Sequence, residues 1–401
     1  MVRRLSPLLV LVLLLPAPAR AQEGFERVVD GLDFAVNVAI APDGAMFVAD
    51  KDLGQIRVVR DGELLTEPFA SVDVAPRVNE MGLLGVALHP RFPDEPWVYA
   101  YYSDASDGRN RLVRFRAEGD VAAERQDLMD LLPTVNGWHN GGDMTFGPDG
   151  KLYLSVGEGH EPERAQEPAA LGGRILRLDP DGSVPSDNPF GPDNPTFALG
   201  FRNSFGVCFD VDTGGLWVTD NGPSAWDEIN RVEAGGNHGW PLHLGPGGPS
   251  GLVEPILAFE EIVVPTGCAG SATGEGLYVG EGYTGRLHRM RVSGGSPSDE
   301  VVATFEGGIT ALELDADGRL VLVTPTTIHR SLEVVSTPSP STASPSGTEA
   351  TPTPSSATVR PTPSPSPAVD GPFGALGTGV GILVAALLFG LLLWLRGRVG
   401  R

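Results

Sequence analysis

The sequence is short of positive charge. Its 401 residues include 29 Lys or Arg against 51 Asp or Glu, which gives a formal net charge of -22. Lysine is almost absent, because Lys51 and Lys151 are the only two. Nucleic acids and anionic membrane surfaces bind basic patches, so the composition argues against both as partners of the folded part. The simplest meaning of this charge is an acidic, soluble surface.

Cysteine is scarce as well, with two residues in the chain. Cys208 and Cys268 both lie in apolar, strand-like surroundings. In an oxidising compartment they could form a disulfide, while a buried free thiol is an equally ordinary state for such residues. The sequence leaves both alternatives open, because it does not give the distance between the two Cα atoms.

The first residues have the pattern of a secretory signal. Residues 1–21 combine Arg3 and Arg4, an apolar run at 8–15 and an Ala-x-Ala site that ends at Ala21. A charged start, a short apolar run and small residues at the end are typical of a signal peptide. We therefore expect cleavage after Ala21.

The last residues have the pattern of a tether. Residues 336–370 are nearly all Ser, Thr, Pro and Ala, which predicts a disordered extracellular stalk. Residues 371–395 carry no charge and are long enough for one transmembrane helix. The arginines in 396–401 place that tail in the cytoplasm. These segments predict a single-pass protein of the cell membrane, with residues 22–335 as its extracellular globular domain.

Glycine and proline are abundant in this globular part, which favours strands and turns over long helices. One unit recurs about every fifty residues: a short apolar strand, a turn with Asp or Gly, and a second alternating strand. Its copies lie at 38–50, 84–101, 138–159, 206–220, 274–280 and 311–323. This repeat predicts an all-β fold, a six-bladed β-propeller of four-stranded blades. We expect 25–29 or 327–334 to close the ring.

One copy of the repeat carries a histidine at its mouth. His139 precedes Gly141 and Gly142, and a Pro-Asp-Gly turn then joins two alternating runs into a hairpin. The glycine pair leaves the backbone bare, so a flat ligand could approach the imidazole closely. An imidazole also suits proton transfer near neutral pH. The alternative is a loop histidine bonded to a carbonyl. In a propeller such residues gather at one end of the central channel, where we expect the site.

Several further motifs resemble one enzyme family. They are GLLGVALHP (82–90), HNGG (139–142), GRILRLDPDG (173–182), DNPF (187–190), GFRN (200–203), NGP (221–223), DEIN (227–230) and GNHGWP (236–241). Together they resemble the soluble glucose/sorbosone dehydrogenases, quinoprotein aldose dehydrogenases that use pyrroloquinoline quinone (PQQ). The likeness covers about residues 25–330 in the family's order, and it implies a PQQ-dependent oxidation of aldose sugars.

The resemblance implies catalytic and cofactor-binding roles for four residues. His139 would be the base that takes the proton of the anomeric hydroxyl while hydride passes from that carbon to the quinone. Arg202 and Asn203 would contact the quinone oxygens, where a guanidinium stabilises developing negative charge. Glu80 would lie near the cofactor.

The resemblance also implies calcium sites. The carbonyls of Gly222 and Pro223 would hold a calcium ion that bridges to the cofactor. Glu228 and the carbonyl of His238 would surround a further, structural calcium. The alternative for Asp227 and Glu228 is that they are solvated loop charges. The alternatives for Glu158 and Glu161 near His160 are a metal cluster and an exposed acidic loop, of which the loop is favoured.

The chain departs from the family at cationic positions. Tyr283 stands where the family has a lysine against the quinone carboxylates, and Gly308 and Thr310 stand where it has arginines. Trp138 replaces the carboxylate before the histidine. Contacts to a tricarboxylate cofactor are therefore missing, which puts PQQ binding in question.

Three functions from different classes follow. The first is a PQQ- and calcium-dependent aldose dehydrogenase that passes electrons to a membrane or soluble acceptor. The second is a non-catalytic propeller that binds a carbohydrate or a protein partner. The third is a calcium-dependent hydrolase or lactonase, for which the sequence offers no second carboxylate set.

Overall fold

The structure is a computed structural model, and it describes residues 22–335 apart from 76–77, 135, 168, 211–212, 271–275 and 293–296. The predicted signal peptide (1–21), stalk (336–370), transmembrane helix (371–395) and basic tail (396–401) lie outside the described residues. Within the described ranges, no helix is long and apolar enough to cross a membrane.

The regular structure is almost entirely β-strand. The strands are, in chain order, β1 (Phe25–Asp30), β2 (Ala35–Ile40), β3 (Met46–Asp50), β4 (Gln55–Arg60), β5 (Glu63–Leu64), β6 (Ala70–Ser71), β7 (Leu83–Leu88), β8 (Trp97–Ser103), β9 (Arg109–Glu118), β10 (Val121–Pro133), β11 (Gly141–Phe146), β12 (Leu152–Val156), β13 (Arg174–Leu178), β14 (Thr196–Leu199), β15 (Ser204–Phe209), β16 (Leu216–Asp220), β17 (Asp227–Val232), β18 (Leu257–Phe259), β19 (Pro265–Gly270), β20 (Gly276–Glu281), β21 (Arg286–Arg291), β22 (Ser298–Thr304), β23 (Ala311–Leu314), β24 (Arg319–Val323) and β25 (Thr327–Val334). A short 3-10 helix spans Pro162–Ala165.

These strands form six antiparallel sheets, the blades of a propeller. Blade 1 is β2–β6, blade 2 is β7–β10, blade 3 is β11–β14, blade 4 is β15–β18, blade 5 is β19–β22, and blade 6 is β23–β25 with β1. The predicted six-bladed fold is confirmed, but blade 1 has five strands instead of the predicted four, because both β5 and β6 pair with β4. The fifth copy of the repeat corresponds to β20, and its inner strand is β19.

The first and last strands of the propeller close the ring. β1 pairs antiparallel with β25, so that Phe25 lies opposite Ser331 and Asp30 opposite Thr327. Both segments that were predicted as alternatives for the closure therefore take part in it. Blade 6 joins one strand from the start of the domain to three from its end, and this pairing holds the ring shut.

The hydrophobic core lies between neighbouring blades. Each apolar cluster joins the buried faces of two adjacent sheets, as Phe47 of blade 1 and Val86 of blade 2 do. β3, β12 and β16 are buried along their whole length, as expected for strands with a sheet on either side. Burial on both faces is why these strands are nearly all apolar.

A disulfide joins two inner strands. Cys208 of β15 bonds to Cys268 of β19, with a Cα–Cα distance of 5.8 Å. The sequence left this pairing open, and the structure decides it because both cysteines lie in the same apolar cluster between blades 4 and 5. The bridge ties these two blades together beside the channel.

Candidate active site

The candidate site forms where two inner strands begin. His139 and Asn140 directly precede β11, and Arg202 and Asn203 directly precede β15. His139 has a φ of 58°, a left-handed conformation that few non-glycine residues adopt. The main-chain N–H of His139 donates to Glu80 Oε2 at 2.7 Å. These contacts turn the imidazole toward blade 4.

The two ring nitrogens of His139 have different partners. Arg202 Nη2 lies 2.8 Å from Nε2, and Glu158 Oε1 contacts Nδ1. A guanidinium only donates, so Nε2 must accept and Nδ1 must carry the hydrogen that it donates to Glu158. Burial and the Arg202 charge lower the pKa of His139 to about 3. The imidazole is therefore neutral, which is the form that a general base requires.

Glu158 is a site residue whose exposure was predicted wrongly from the sequence. The prediction of an exposed acidic loop is wrong for Glu158, which is 0% exposed, whereas His160 and Glu161 in the same loop are exposed. Its main-chain N–H donates to Arg202 O and that of Gly159 donates to His139 O, both at 2.9 Å, so the loop is held inward. Burial raises the pKa of Glu158 to about 7, while the Arg202 charge opposes the shift. Among the residues that the structure describes, its Oε2 has no hydrogen-bond partner.

A positional signal for Glu158 was present in the predicted hairpin. Gly141 of β11 pairs with Val156 of β12. His139 lies two places before Gly141, and Glu158 lies two places after Val156. These two residues therefore stand opposite each other. Glu158 thus supplies a carboxylate to the imidazole although Trp138 occupies the family position.

Arg202 is buried, and the atoms that accept hydrogen bonds from its guanidinium are neutral. Nη1 donates to Asn221 O at 2.8 Å and to Gly222 O at 3.1 Å. Its guanidinium lies 5.6 Å from the Trp240 ring centroid, and Nε has no hydrogen-bond partner within the described ranges. Burial lowers the pKa of Arg202, against the surrounding carboxylates. A guanidinium with these partners retains donors for an anionic or quinone oxygen.

Glu80 links the two halves of the site. Besides the N–H of His139, its carboxylate accepts from Asn203 Nδ2, at 3.0 Å to Oε2 and 3.1 Å to Oε1. Asn203 Oδ1 in turn accepts from the N–H of Gly141 at 3.2 Å. The predicted residues His139, Arg202, Asn203 and Glu80 therefore form one hydrogen-bonded cluster.

The predicted calcium carbonyls lie beside this cluster. Gly222 O is the acceptor of Arg202 already described, and Pro223 follows it. The N–H of Gly222 donates to Asp227 Oδ1 at 2.8 Å. Asp227 is almost fully buried, so it is not a solvated loop charge. The carboxylate holds the turn that presents the two carbonyls.

Glu228 and His238 meet through Asn230. Asn230 Nδ2 donates to Glu228 Oε2, and Asn230 Oδ1 lies at His238 Nδ1, each at 3.3 Å. Both residues are buried, so Glu228 is not a solvated charge either. Burial raises the pKa of Glu228 to about 7 and lowers that of His238 to about 3. Within the described part of the chain, no group of three or more His, Cys, Asp or Glu side chains could hold a metal, so carbonyl oxygens would have to supply much of any such site.

The opposite side of the mouth has no cation at the family positions. Tyr283 is 52% exposed. Gly308 has a φ of 90°, and a Cβ built there would lie 2.1 Å from Gly282 O, so the backbone excludes an arginine. Thr310 donates its hydroxyl to Val323 O at 3.2 Å. At Gly308 the departure read from the sequence is thus built into the backbone.

Comparison with known proteins identifies the family. A family profile described as Glucose / Sorbosone dehydrogenase matches residues 32–269. The chain belongs to the glucose/sorbosone dehydrogenase family. The resemblance inferred from the motifs is confirmed, and the match includes every predicted site residue from Glu80 to His238.

Two solved structures of this family share the fold. A putative oxidoreductase (glucose dehydrogenase) from Thermus thermophilus is 36% identical, with a TM-score of 0.72 over 78% of this chain and 100% of that one. The PQQ-bound aldose sugar dehydrogenase of Streptomyces coelicolor is 30% identical, with a TM-score of 0.70 over 78% and 98%. An uncharacterised protein of Synechocystis is 33% identical over 54% of this chain. The match spans 58% of that relative's length.

Proposed function

We propose that this glucose/sorbosone dehydrogenase family member oxidises the anomeric hydroxyl of aldose sugars to lactones, with PQQ as hydride acceptor and calcium beside it. One observation carries the proposal: a neutral, buried imidazole contacts a buried guanidinium that also reaches the Gly222 carbonyl. A base, a cation for developing negative charge and a carbonyl ligand thus meet at one point.

The residues fit the reacting end of the cofactor. The hydrogen-bond partners of the Arg202 guanidinium in the described part of the chain are neutral, and its Nε has none there, which suits a guanidinium that meets a quinone oxygen. Asn203 would lie beside it, and the Gly222 and Pro223 carbonyls would hold calcium, a cation that prefers oxygen ligands. When bound, PQQ accepts a hydride and calcium acts as a Lewis acid next to it.

The chain's own part in the reaction is proton transfer and orientation. His139 Nε2 takes the proton of the anomeric hydroxyl, while Nδ1–H stays bonded to Glu158, which fixes the ring and stabilises the imidazolium. In the structure Nε2 accepts from Arg202. A substrate hydroxyl therefore reaches Nε2 only when the guanidinium turns toward its other acceptors.

A dye-reduction assay tests the proposal. The purified protein is supplied with PQQ and calcium, and reduction of an artificial electron acceptor is followed with a panel of aldoses. We expect turnover that depends on sugar, PQQ and calcium together, and that is lost in Arg202→Ala. Dye reduction that is independent of calcium or of the sugar would overturn the proposal.

A second function is favoured by the side of the mouth that blades 5 and 6 form. This side, called the bare side below, lacks cations at the family positions. Tyr283, Gly308 and Thr310 offer no charge to the cofactor carboxylates, and the backbone at Gly308 excludes one. A propeller that binds a carbohydrate or a protein without turning it over would need no such contacts. Sugar binding by calorimetry in the absence of any PQQ binding would support this alternative.

The sequence also supports a place for this activity in the cell. We propose that residues 371–395 anchor the protein in the cell membrane, with the propeller on the extracellular side of the stalk. Protease treatment of intact cells should then release the propeller, and truncation at Ser336 should leave it in solution. Retention of the truncated form in the membrane fraction would contradict a single anchor.

A further inference from the structure

A recurrent contact holds the residues in front of the inner strands. In several blades the two residues before the inner strand direct consecutive main-chain N–H groups at a single carboxylate. The pairs are Asp33 and Phe34 with Asp50, His139 and Asn140 with Glu80, Arg202 and Asn203 with Asp220, and Val263 and Val264 with Asp227. In blades 3 and 4 the residues so held include the predicted site residues His139, Arg202 and Asn203.

Asp220 makes this contact with the best geometry. The N–H of Arg202 donates to Oδ2 at 2.8 Å, and the N–H of Asn203 donates to Oδ1 at 2.7 Å. Ser204 Oγ adds a third hydrogen bond at 3.0 Å to Oδ1. The carboxylate is buried, so water does not compete for it. Each oxygen therefore fixes one peptide plane.

Asp50 occupies the same place in blade 1. Asp50 ends β3 and pairs with Ala35, the first residue of β2, just as Asp220 ends β16 and pairs with Ser204, the first residue of β15. A β-bulge follows in both inner strands. Asp50 also divides its oxygens between two N–H groups, both at 3.1 Å. The residues it holds, Asp33 and Phe34, belong to no candidate site.

The peptide planes determine where the Arg202 side chain points. The N–H of Arg202 is bonded to Asp220, and its carbonyl accepts from the N–H of Glu158. From this fixed backbone the guanidinium reaches both Gly222 O and His139 Nε2. A rotation of either peptide would move the guanidinium away from one of these acceptors, and displacement of about 1 Å is enough to impair a catalytic group.

We propose that Asp220 is the positioning residue for Arg202 and Asn203. Its carboxylate aims the guanidinium at His139 Nε2 and Gly222 O. Asp50 makes the same kind of contact, but it serves only the fold. The assignment rests on the proposed dehydrogenase function, but its geometric part concerns this chain alone. It therefore has a readout that needs no cofactor.

The test compares Asp220→Asn with Asp50→Asn in the purified protein. Both amides keep the side-chain shape but set an NH₂ group against a main-chain N–H, so we expect similar falls in Tm. With PQQ and calcium supplied, Asp220→Asn should lower kcat/KM and weaken PQQ binding at least tenfold, while Asp50→Asn stays within twofold of the wild type. Equal effects of the two variants would overturn the proposal.

The cofactor-free readout is the tautomer of His139, measured by ¹⁵N NMR. Arg202 at Nε2 holds the hydrogen on Nδ1 in the wild type. We expect the Nε2–H form to appear in Asp220→Asn and not in Asp50→Asn, and an unchanged tautomer would contradict the proposal. If wild-type protein oxidises no aldose, the proposed function fails while this result still decides the role of Asp220. If Asp220→Asn does not fold, Ser204→Ala is the second variant, because it removes one hydrogen bond to the Asp220 carboxylate. We expect it to shift kcat/KM and the His139 tautomer in the same direction, but by smaller amounts. If neither kcat/KM nor the tautomer shifts, the assignment is overturned.

Discussion

The two sides of the channel mouth differ sharply. Blades 3 and 4 bring together a buried imidazole, a buried guanidinium and the carboxylates that hold them, whereas blades 5 and 6 present Tyr283, Gly308 and Thr310 at the family's cationic positions. The first side would act on the reacting atoms, and the second would hold the far end of the cofactor. The proposed function therefore predicts that His139 governs turnover, while positions 283, 308 and 310 govern only cofactor affinity.

The largest effect on turnover is expected from substitution of His139, on the side of the mouth formed by blades 3 and 4. His139→Ala should lower kcat by roughly 100- to 10,000-fold, the range that general-base catalysis contributes. PQQ affinity should change little, because Arg202 and Asn203 remain. Stopped-flow assays and a PQQ titration measure the two quantities. The control is His160→Ala, which removes an exposed imidazole whose ring centroid lies 5.0 Å from that of His139; a loss as large as that of His139→Ala would contradict the assignment.

Glu158→Gln tests the partner of the base. The amide cannot stabilise an imidazolium as a carboxylate does, so kcat should fall on the order of 10- to 100-fold, as for other residues that orient an imidazole. KM and PQQ affinity should stay near their wild-type values. Glu161→Gln, on the same loop, serves as the matched control. A fall in PQQ affinity without a fall in kcat would show that Glu158 acts on the cofactor instead.

The bare side contains a buried histidine of opposite character. His288 Nε2 lies 2.7 Å from Glu281 Oε1, and Nδ1 lies 2.8 Å from Asp299 Oδ1. Burial alone would lower the pKa of His288, but these carboxylates outweigh it and raise the pKa to about 9. The charged imidazolium of His288 thus stabilises blade 5. By contrast, the imidazole of His139 in blade 3 is neutral.

This difference predicts a pH dependence of stability. Because the folded pKa of His288 lies above the unfolded value, its contribution is complete below about pH 6.5 and is lost as pH rises through 9. His288→Gln should reduce the free energy of unfolding by on the order of 1–2 kcal/mol at pH 6 and by much less at pH 10. Urea unfolding at both pH values measures it. A constant difference would mean that packing, not charge, is what the imidazole contributes.

The smallest effect concerns the missing cation. Tyr283→Lys restores a lysine where the family has one, and because position 283 is exposed, the gain in PQQ affinity should be only about three- to tenfold. kcat should not change. Tyr283→Gln, which adds no charge, should leave affinity at the wild-type level. Equal affinities of the lysine and glutamine variants would show that the bare side does not face the cofactor carboxylates.

The fold and half of the site could be predicted because they are local. The hairpin units recur in the sequence, and His139, Arg202 and Gly222 lie inside short motifs. Glu158 was missed because its burial comes from main-chain bonds to Arg202 and His139, residues that the fold brings to it. Likewise, the role of Glu80 and the Cys208–Cys268 bond depend on distances between blades, which spacing along the chain does not give. Asp220 lies in the same blade as Arg202 and Asn203, but its role depends on the pairing of β15 with β16, which the motifs do not show.

PQQ binding to the purified protein, titrated with and without calcium, tests the proposed function most directly. We expect saturable binding that calcium strengthens, followed by reduction of the bound quinone when an aldose is added to the wild type but not to His139→Ala. Absence of calcium-dependent PQQ binding, or equal reduction in both proteins, would contradict it.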